Sequence, residues 1–141
     1  MIGLDTNVLV RLLIGDDDLQ TQAAQRLLLS LDGTPGAVFI DDIVLVETIW
    51  VLQRSYHVEK TDLLRMLDWI LSVAVFAFSD RPVLHEAVNT FREGPTGFAD
   101  CLIIVRHRQA GCAHTATFDR RMARHPGARL IHANATSTQQ S

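Results

Sequence analysis

Val73-Ala74-Val75-Phe76-Ala77-Phe78 is apolar at every position. Successive side chains of a strand point to opposite faces, so a strand of this kind needs cover on both. That is the situation of a parallel strand with helices on either side of its sheet. Parallel strands in turn require long crossover connections. The rest of the chain supplies them. Short apolar segments at Ile2–Leu4, Ala37–Ile40, Cys112–Ala116 and Leu130-Ile131 alternate with stretches of helical pattern. The pattern predicts an α/β sandwich with a mainly parallel sheet of four or five short strands, flanked by helices and joined by right-handed crossovers.

The helices are expected over Thr6–Ile14, with Gly15 as C-cap, and from the Asp16-Asp17-Asp18 triplet to about Leu31. In the second of these, Leu19, Ala23, Leu27 and Leu31 are spaced as one face. The acidic triplet suits a helix N-terminus, where unpaired N–H groups and the dipole favour negative charge. Asp32 to Gly36 is a turn. Further helices are expected over Ile43–Tyr56, Thr61–Leu71, Asp80–Arg92 and Phe98–Ala110, the last closed by Gly111, with a short one over Asp119–Arg124. Leu64, Leu67 and Leu71 share one side of the fourth helix. With 141 residues, 48 % of them hydrophobic, the chain suits one domain over residues 1–132. Residues 133–141 are polar, lack an apolar pattern and are expected to be disordered.

No apolar run has the length of a membrane span, and the N-terminus lacks the pattern of a secretory signal. Cys101 and Cys112 lie eleven residues apart, near the start and just past the end of the helix expected over Phe98–Ala110, where a rise of 1.5 Å per residue sets them roughly 16 Å apart, too far for a disulfide. Buried thiols in a reducing cytoplasm are the expectation. The net charge of −3 hides an asymmetry: residues 1–100 carry 7 Lys+Arg against 15 Asp+Glu, whereas residues 101–141 carry 6 Arg against the single acid Asp119. The overall charge argues against indiscriminate nucleic-acid binding, but the basic segment permits a phosphate-contacting surface.

Four acids stand apart from the rest. Asp5 follows the first strand, flanked by apolar residues; capping of the next helix is the competing role. Glu47 lies within Ile43-Val44-Leu45-Val46-Glu47-Thr48-Ile49-Trp50-Val51-Leu52, with apolar neighbours at helical spacing and no basic residue to pair with. Asp100 sits in the first turn of its helix, with Ile103 and Ile104 following. Asp119 ends a strand and begins a helix, where capping is again the competing role. In a parallel sheet all four positions lie on one edge, the edge where ligands bind. Four carboxylates gathered there would repel by about 4 kcal/mol per pair at 4 Å and an effective dielectric near 20. They require protons or a cation. An all-oxygen site suits Mg²⁺ or Mn²⁺, and such a site supports phosphodiester hydrolysis by a metal-activated water.

Other templates are missing. The six histidines form no His-Glu-x-x-His, there is no Cys-x-x-Cys, and no phosphate-binding Gly-rich loop or Gly-x-Ser-x-Gly elbow is present. His114, inside an expected strand, is read as structural.

Leu4-Asp5-Thr6-Asn7-Val8-Leu9, the lone Glu47, Phe98-Ala99-Asp100-Cys101-Leu102-Ile103 and Thr117-Phe118-Asp119 together resemble the PIN-domain family, and most closely the VapC-type toxins of bacterial toxin–antitoxin pairs. The resemblance spans about residues 1–132. It implies a PIN-like α/β/α sandwich and a Mg²⁺/Mn²⁺-dependent endoribonuclease. It also implies a cognate VapB-type antitoxin, operator DNA reached only through the toxin–antitoxin complex, a homodimer and a cytoplasmic location. Asp5, Glu47, Asp100 and Asp119 would be the catalytic, metal-binding quartet. Thr6, Asn7 and Thr117 would orient those acids or bound water. Arg11, Arg120, Arg121 and Arg124 become candidates for RNA phosphates.

Two other readings compete. One is a non-catalytic module on the same scaffold that binds RNA or a basic partner. The other is a phosphoacceptor α/β domain, against which stands Asn7 where the common phosphohydrolase signature has a second Asp.

Overall fold

The computed structural model describes residues 1–133. Its regular elements are β1 (Ile2–Gly3), α1 (Thr6–Leu13), α2 (Asp18–Ser30), β2 (Val38–Phe39), α3 (Asp42–Tyr56), α4 (Lys60–Ser72), β3 (Phe76–Ala77), α5 (Arg81–Glu93), α6 (Phe98–Gln109), β4 (Thr115–Thr117) and β5 (Ala128–Leu130), with a single 3₁₀ turn at Met122–Arg124. The chain forms two compact units, Met1–Pro82 and the residues from Val83 on. The expected disordered tail lies, from residue 134, outside the described residues. No helix among the described residues is long and apolar enough to cross a membrane.

The N-terminal unit holds a three-stranded sheet in the order β1-β2-β3, with Ile2 opposite Val38 and Val38 opposite Phe76, all parallel. Two helices make each crossover, α1 with α2 and α3 with α4. Leu9, Val38, Ile40, Leu52, Leu63 and Ile70 are fully buried. Phe76 is 1 % exposed and meets the Trp69 ring edge-on at 5.9 Å. The strand expected over residues 73–78 is only two residues long. Helix α4 runs on through Ser72, and the Phe76 N–H bonds back to the Val73 carbonyl, which makes residues 73–76 a turn. The ladder is nonetheless kept, through Val38 N–H to the Val75 carbonyl and Ile40 N–H to the Ala77 carbonyl, both 2.9 Å.

Helix α2 corrects another expectation. Leu19 is 80 % exposed, Leu27 36 % exposed and Ala23 exposed. The protected positions are Asp17, Thr21, Ala24, Leu28 and Leu31. They recur every three or four residues, so the packed stripe is rotated about one residue from the one expected. The helix is anchored by Asp17, whose carboxylate accepts from the Gln20 N–H. The C-cap of α1 is Ile14 rather than Gly15: Ile14 leaves in extended conformation while its N–H still reaches the Val10 carbonyl. Arg11, in the last turn of α1, donates to Gln20 and Asp16, and Tyr56 of α3 donates to the other oxygen of Asp16 at 2.7 Å. Tyr56 first and Arg11 second hold the Asp16 carboxyl below its ordinary range.

The C-terminal unit contains α6 and all but the first two residues of α5. Phe91 and Phe98 pack edge-on between them. β4 and β5 pair with each other, Thr115 opposite Ala128, so the five parallel strands are grouped as three and two. β4 begins three residues later than its expected start at Cys112. Gly111 at φ +98° closes α6, with its N–H on the Arg108 carbonyl and the Cys112 N–H on the His107 carbonyl. This double closure is the Schellman pattern, and it commits residues 112–114 to leaving the helix. His114 therefore precedes β4 and is exposed. Ile104, Met122 and Ala128 form a small buried cluster. Gly127 lies so close to it that a Cβ there would stand 2.5 Å from Ile104 Cγ2.

Candidate functional site

The site is built most completely in the C-terminal unit. β4 ends at Thr117, and the Thr117 hydroxyl accepts the Asp119 N–H at 2.9 Å. Asp119 Oδ1 accepts the N–H groups of Arg121 and Met122, at 2.8 and 3.3 Å, which nucleates the 3₁₀ turn. Capping is thus a real role of Asp119, but it occupies one oxygen of the two. Asp100 stands in the first turn of α6, half-buried, behind an N-cap glycine that offers no side chain. Burial, and then the negative charge of Asp119, raise the Asp100 carboxyl above its ordinary value, while Arg121 pulls it down. The two acids are therefore near enough to repel, 19 positions apart in sequence. Arg121 is fixed beside them by donating from Nε to the Pro95 carbonyl at 3.0 Å. That contact ties the 3₁₀ turn to the loop that launches α6. Arg121 thus has a positioning role that its place in the sequence did not announce.

Asp5 and Glu47 belong to the N-terminal unit. Asp5 is the N-cap residue of α1, yet its side chain makes no capping bond, unlike Asp17 and Asp41 at the equivalent positions of α2 and α3. The competing role for Asp5 is not taken up, and its carboxylate is exposed. Thr6 is buried in the first turn, and Asn7 lines a cavity of about 330 Å³ between α1 and α2. Glu47 is exposed, as are its helical neighbours Ile43 and Trp50, at 67 % and 57 %. The apolar setting expected around it is a surface stripe rather than a buried one. Arg54 lies over the Trp50 ring on that stripe, 5.4 Å from its centroid.

Among the described residues no group of three or more His, Cys, Asp or Glu side chains is arranged to hold a metal ion. The Asp100–Asp119 pair still suits a hard divalent cation. Mg²⁺ is commonly bound through one or two carboxylates, with water and substrate phosphate completing the shell. A half-buried carboxylate whose proton affinity is raised by burial and then by a second carboxylate gains from a cation placed there.

A model of the PIN domain matches residues 2–128, across both units. The chain belongs to the PIN-domain family. Its similarity to a VapC ribonuclease of Aquifex aeolicus (strain VF5) extends over 118 residues at 25 % identity, covering 84 % of this chain and 87 % of the relative. Among solved structures it matches that of Mycobacterium tuberculosis VapC20, described as a sarcin-ricin loop cleaving toxin. The identity is 17 %, over 98 % of this chain and 95 % of that one, and the TM-score of 0.40 is too low to assign a fold from. Membership of the PIN family agrees with the helix-rich α/β architecture and its parallel strands.

Proposed function

We propose that this PIN-domain chain is a VapC-type toxin, a Mg²⁺- or Mn²⁺-dependent endoribonuclease held in check by a VapB-type antitoxin. The observation that carries the reading is the Asp100–Asp119 pair: Asp119 follows β4, Asp100 stands in the first turn of α6, and burial together with the charge of Asp119 raises the proton affinity of Asp100. The family and the VapC ribonuclease relative support RNA as the substrate. Asp5 and Glu47 join the acidic set on the strength of their motifs, and Asp5 also because its carboxylate is not used as a cap. A cytoplasmic location, homodimerisation and contact with operator DNA through the antitoxin complex belong to the same proposal.

The residues divide the work. Asp100 and Asp119 would hold the cation, and a divalent ion bound there would supply charge to polarise the scissile phosphate and ease ionisation of an attacking water. Thr117 fixes the Asp119 backbone, and Arg121 holds the turn and tempers the acids' mutual repulsion. Arg120 and Arg124 are exposed and make no ion pair among the described residues, which suits them to RNA phosphates. Arg11 is committed to Asp16 and Gln20 and is the weakest of the phosphate candidates.

Purified protein incubated with total RNA is expected to cut it when Mg²⁺ or Mn²⁺ is present and to stop when a chelator is added. Intact RNA under both conditions would leave a binding module as the better reading. Cutting that ignores the chelator would remove the metal from the mechanism.

A further inference from the structure

The stretch beside Asp119 holds a feature that the acids do not explain. Phe118, between Thr117 and Asp119, is 67 % exposed. β5 runs alongside and the Ile131 N–H bonds to the Thr117 carbonyl at 2.7 Å, which brings residues 130–132 level with 117 and 118. Phe118, Arg120, Leu130, Ile131 and His132 line a shallow cavity of about 460 Å³ there. Ile131 is itself 45 % exposed. Single exposed apolar residues are ordinary. Here an aromatic face, a second apolar side chain and a cation are gathered in one concavity, and the two residues that carry its ring and its charge, Phe118 and Arg120, flank Asp119 in the chain. The cavity also lies in the segment that carries 6 arginines against one acid. Unpaired bases are recognised by stacking on such faces, with basic groups tracking the backbone.

We propose that Phe118 and Arg120 form a nucleotide subsite beside Asp119, in which the Phe118 ring stacks on an unpaired base of RNA and Arg120 holds an adjoining phosphate. The proposal rests on the ribonuclease reading and adds to it one residue that grips a base and one that grips the backbone. The subsite would also hold the nucleotide chain in place next to the acids. Its occupant is nucleic acid rather than protein because the concavity pairs a stacking face with a cation that makes no ion pair among the described residues.

The test is a titration, in chelator so that no cutting occurs, of a short single-stranded RNA containing 2-aminopurine. The wild type is expected to bind it and quench its fluorescence by stacking. Phe118→Ala should weaken binding about 5- to 150-fold and abolish the quench, while Phe118→Tyr restores both. Arg120→Gln should weaken binding and lower the salt dependence by about one unit of slope. The same sequence as a duplex should be insensitive to Phe118→Ala. Binding and quench unchanged in a folded Phe118→Ala protein would overturn the subsite. If that variant binds RNA normally but alters the protein's self-association, the face is a protein interface and the subsite falls likewise. A wild type that cuts RNA with Mg²⁺ and ignores Phe118→Ala loses the subsite alone; one that neither binds nor cuts RNA loses the ribonuclease reading as well.

Discussion

Asp100→Asn is expected to lower RNA cleavage by about 10²- to 10³-fold or more, because it removes a carboxylate proposed to bind the cation and keeps the side chain's shape. The same variant should fold at least as well as the wild type. Burial and Asp119 both oppose the ionised form of Asp100, so its carboxyl holds a proton more tightly in the folded chain than in the unfolded one. Between the ordinary value of 3.8 and the raised folded value, the folded state therefore carries more protons, and stability falls as pH rises through that window. Above the window the penalty is fully present, and below it the penalty is gone. Without metal at neutral pH, Asp100→Asn should melt at a higher temperature than the wild type. The advantage should disappear as pH drops towards 3.8. Added Mn²⁺ should reverse the order, since a ligand that binds only the folded wild type stabilises it by mass action. Thermal melts at several pH values, with and without metal, check each step. Full cleavage by the variant would remove Asp100 from the mechanism. A lower melting temperature without metal would show that the carboxylate makes a favourable contact instead.

Phe76→Ala is expected to cost about 3–5 kcal/mol of stability, the range for deleting a buried aromatic side chain that its surroundings cannot refill. Phe76 is in β3 at the edge of the three-stranded sheet, 1 % exposed, and its carbonyl accepts a hydrogen bond from Arg81 at 2.9 Å. Its ring also stands against Trp69. Urea melts should show a lower midpoint with little change in slope, and tryptophan fluorescence should change through Trp69. A loss below about 1 kcal/mol would mean that the site collapses around the deletion, contrary to the packing described.

These two residues also mark what the sequence discloses. The alternation of apolar segments and helices was legible because period-2 and period-3.6 patterns are local. So were the acidic start of α2 at residues 16–18 and the closure at Gly111, each set by residues close in sequence. The packed face of α2 was not. Leu19 and Leu27 are apolar and exposed, so their spacing pointed to a stripe that packing does not use. Glu47 is a similar case: apolar neighbours at helical spacing do not tell a buried stripe from an exposed one. The Arg11–Asp16–Tyr56 contacts join positions 40 residues apart, and only the folded chain shows them. For Asp100 and Asp119 the sequence offered a shared sheet edge; their electrostatic closeness and the part of Arg121 came from the structure. Phe118 left a usable signal. With Thr115 buried, the two-residue period of β4 puts Ala116 and Phe118 on the opposite, exposed face.

The placement of Arg121 has a consequence for ionic strength. Asp119 and Arg121 act on Asp100 as charges, with opposite signs, and dissolved salt screens both. The burial of Asp100, the largest influence on it, is not a charge–charge interaction and is left intact. Raising the salt should thus leave the proton affinity of Asp100 elevated, while binding of a polyanion through arginines weakens steeply. A salt titration can accordingly separate the chemistry of the acids from the grip on the RNA backbone, two properties that a single cleavage rate would combine.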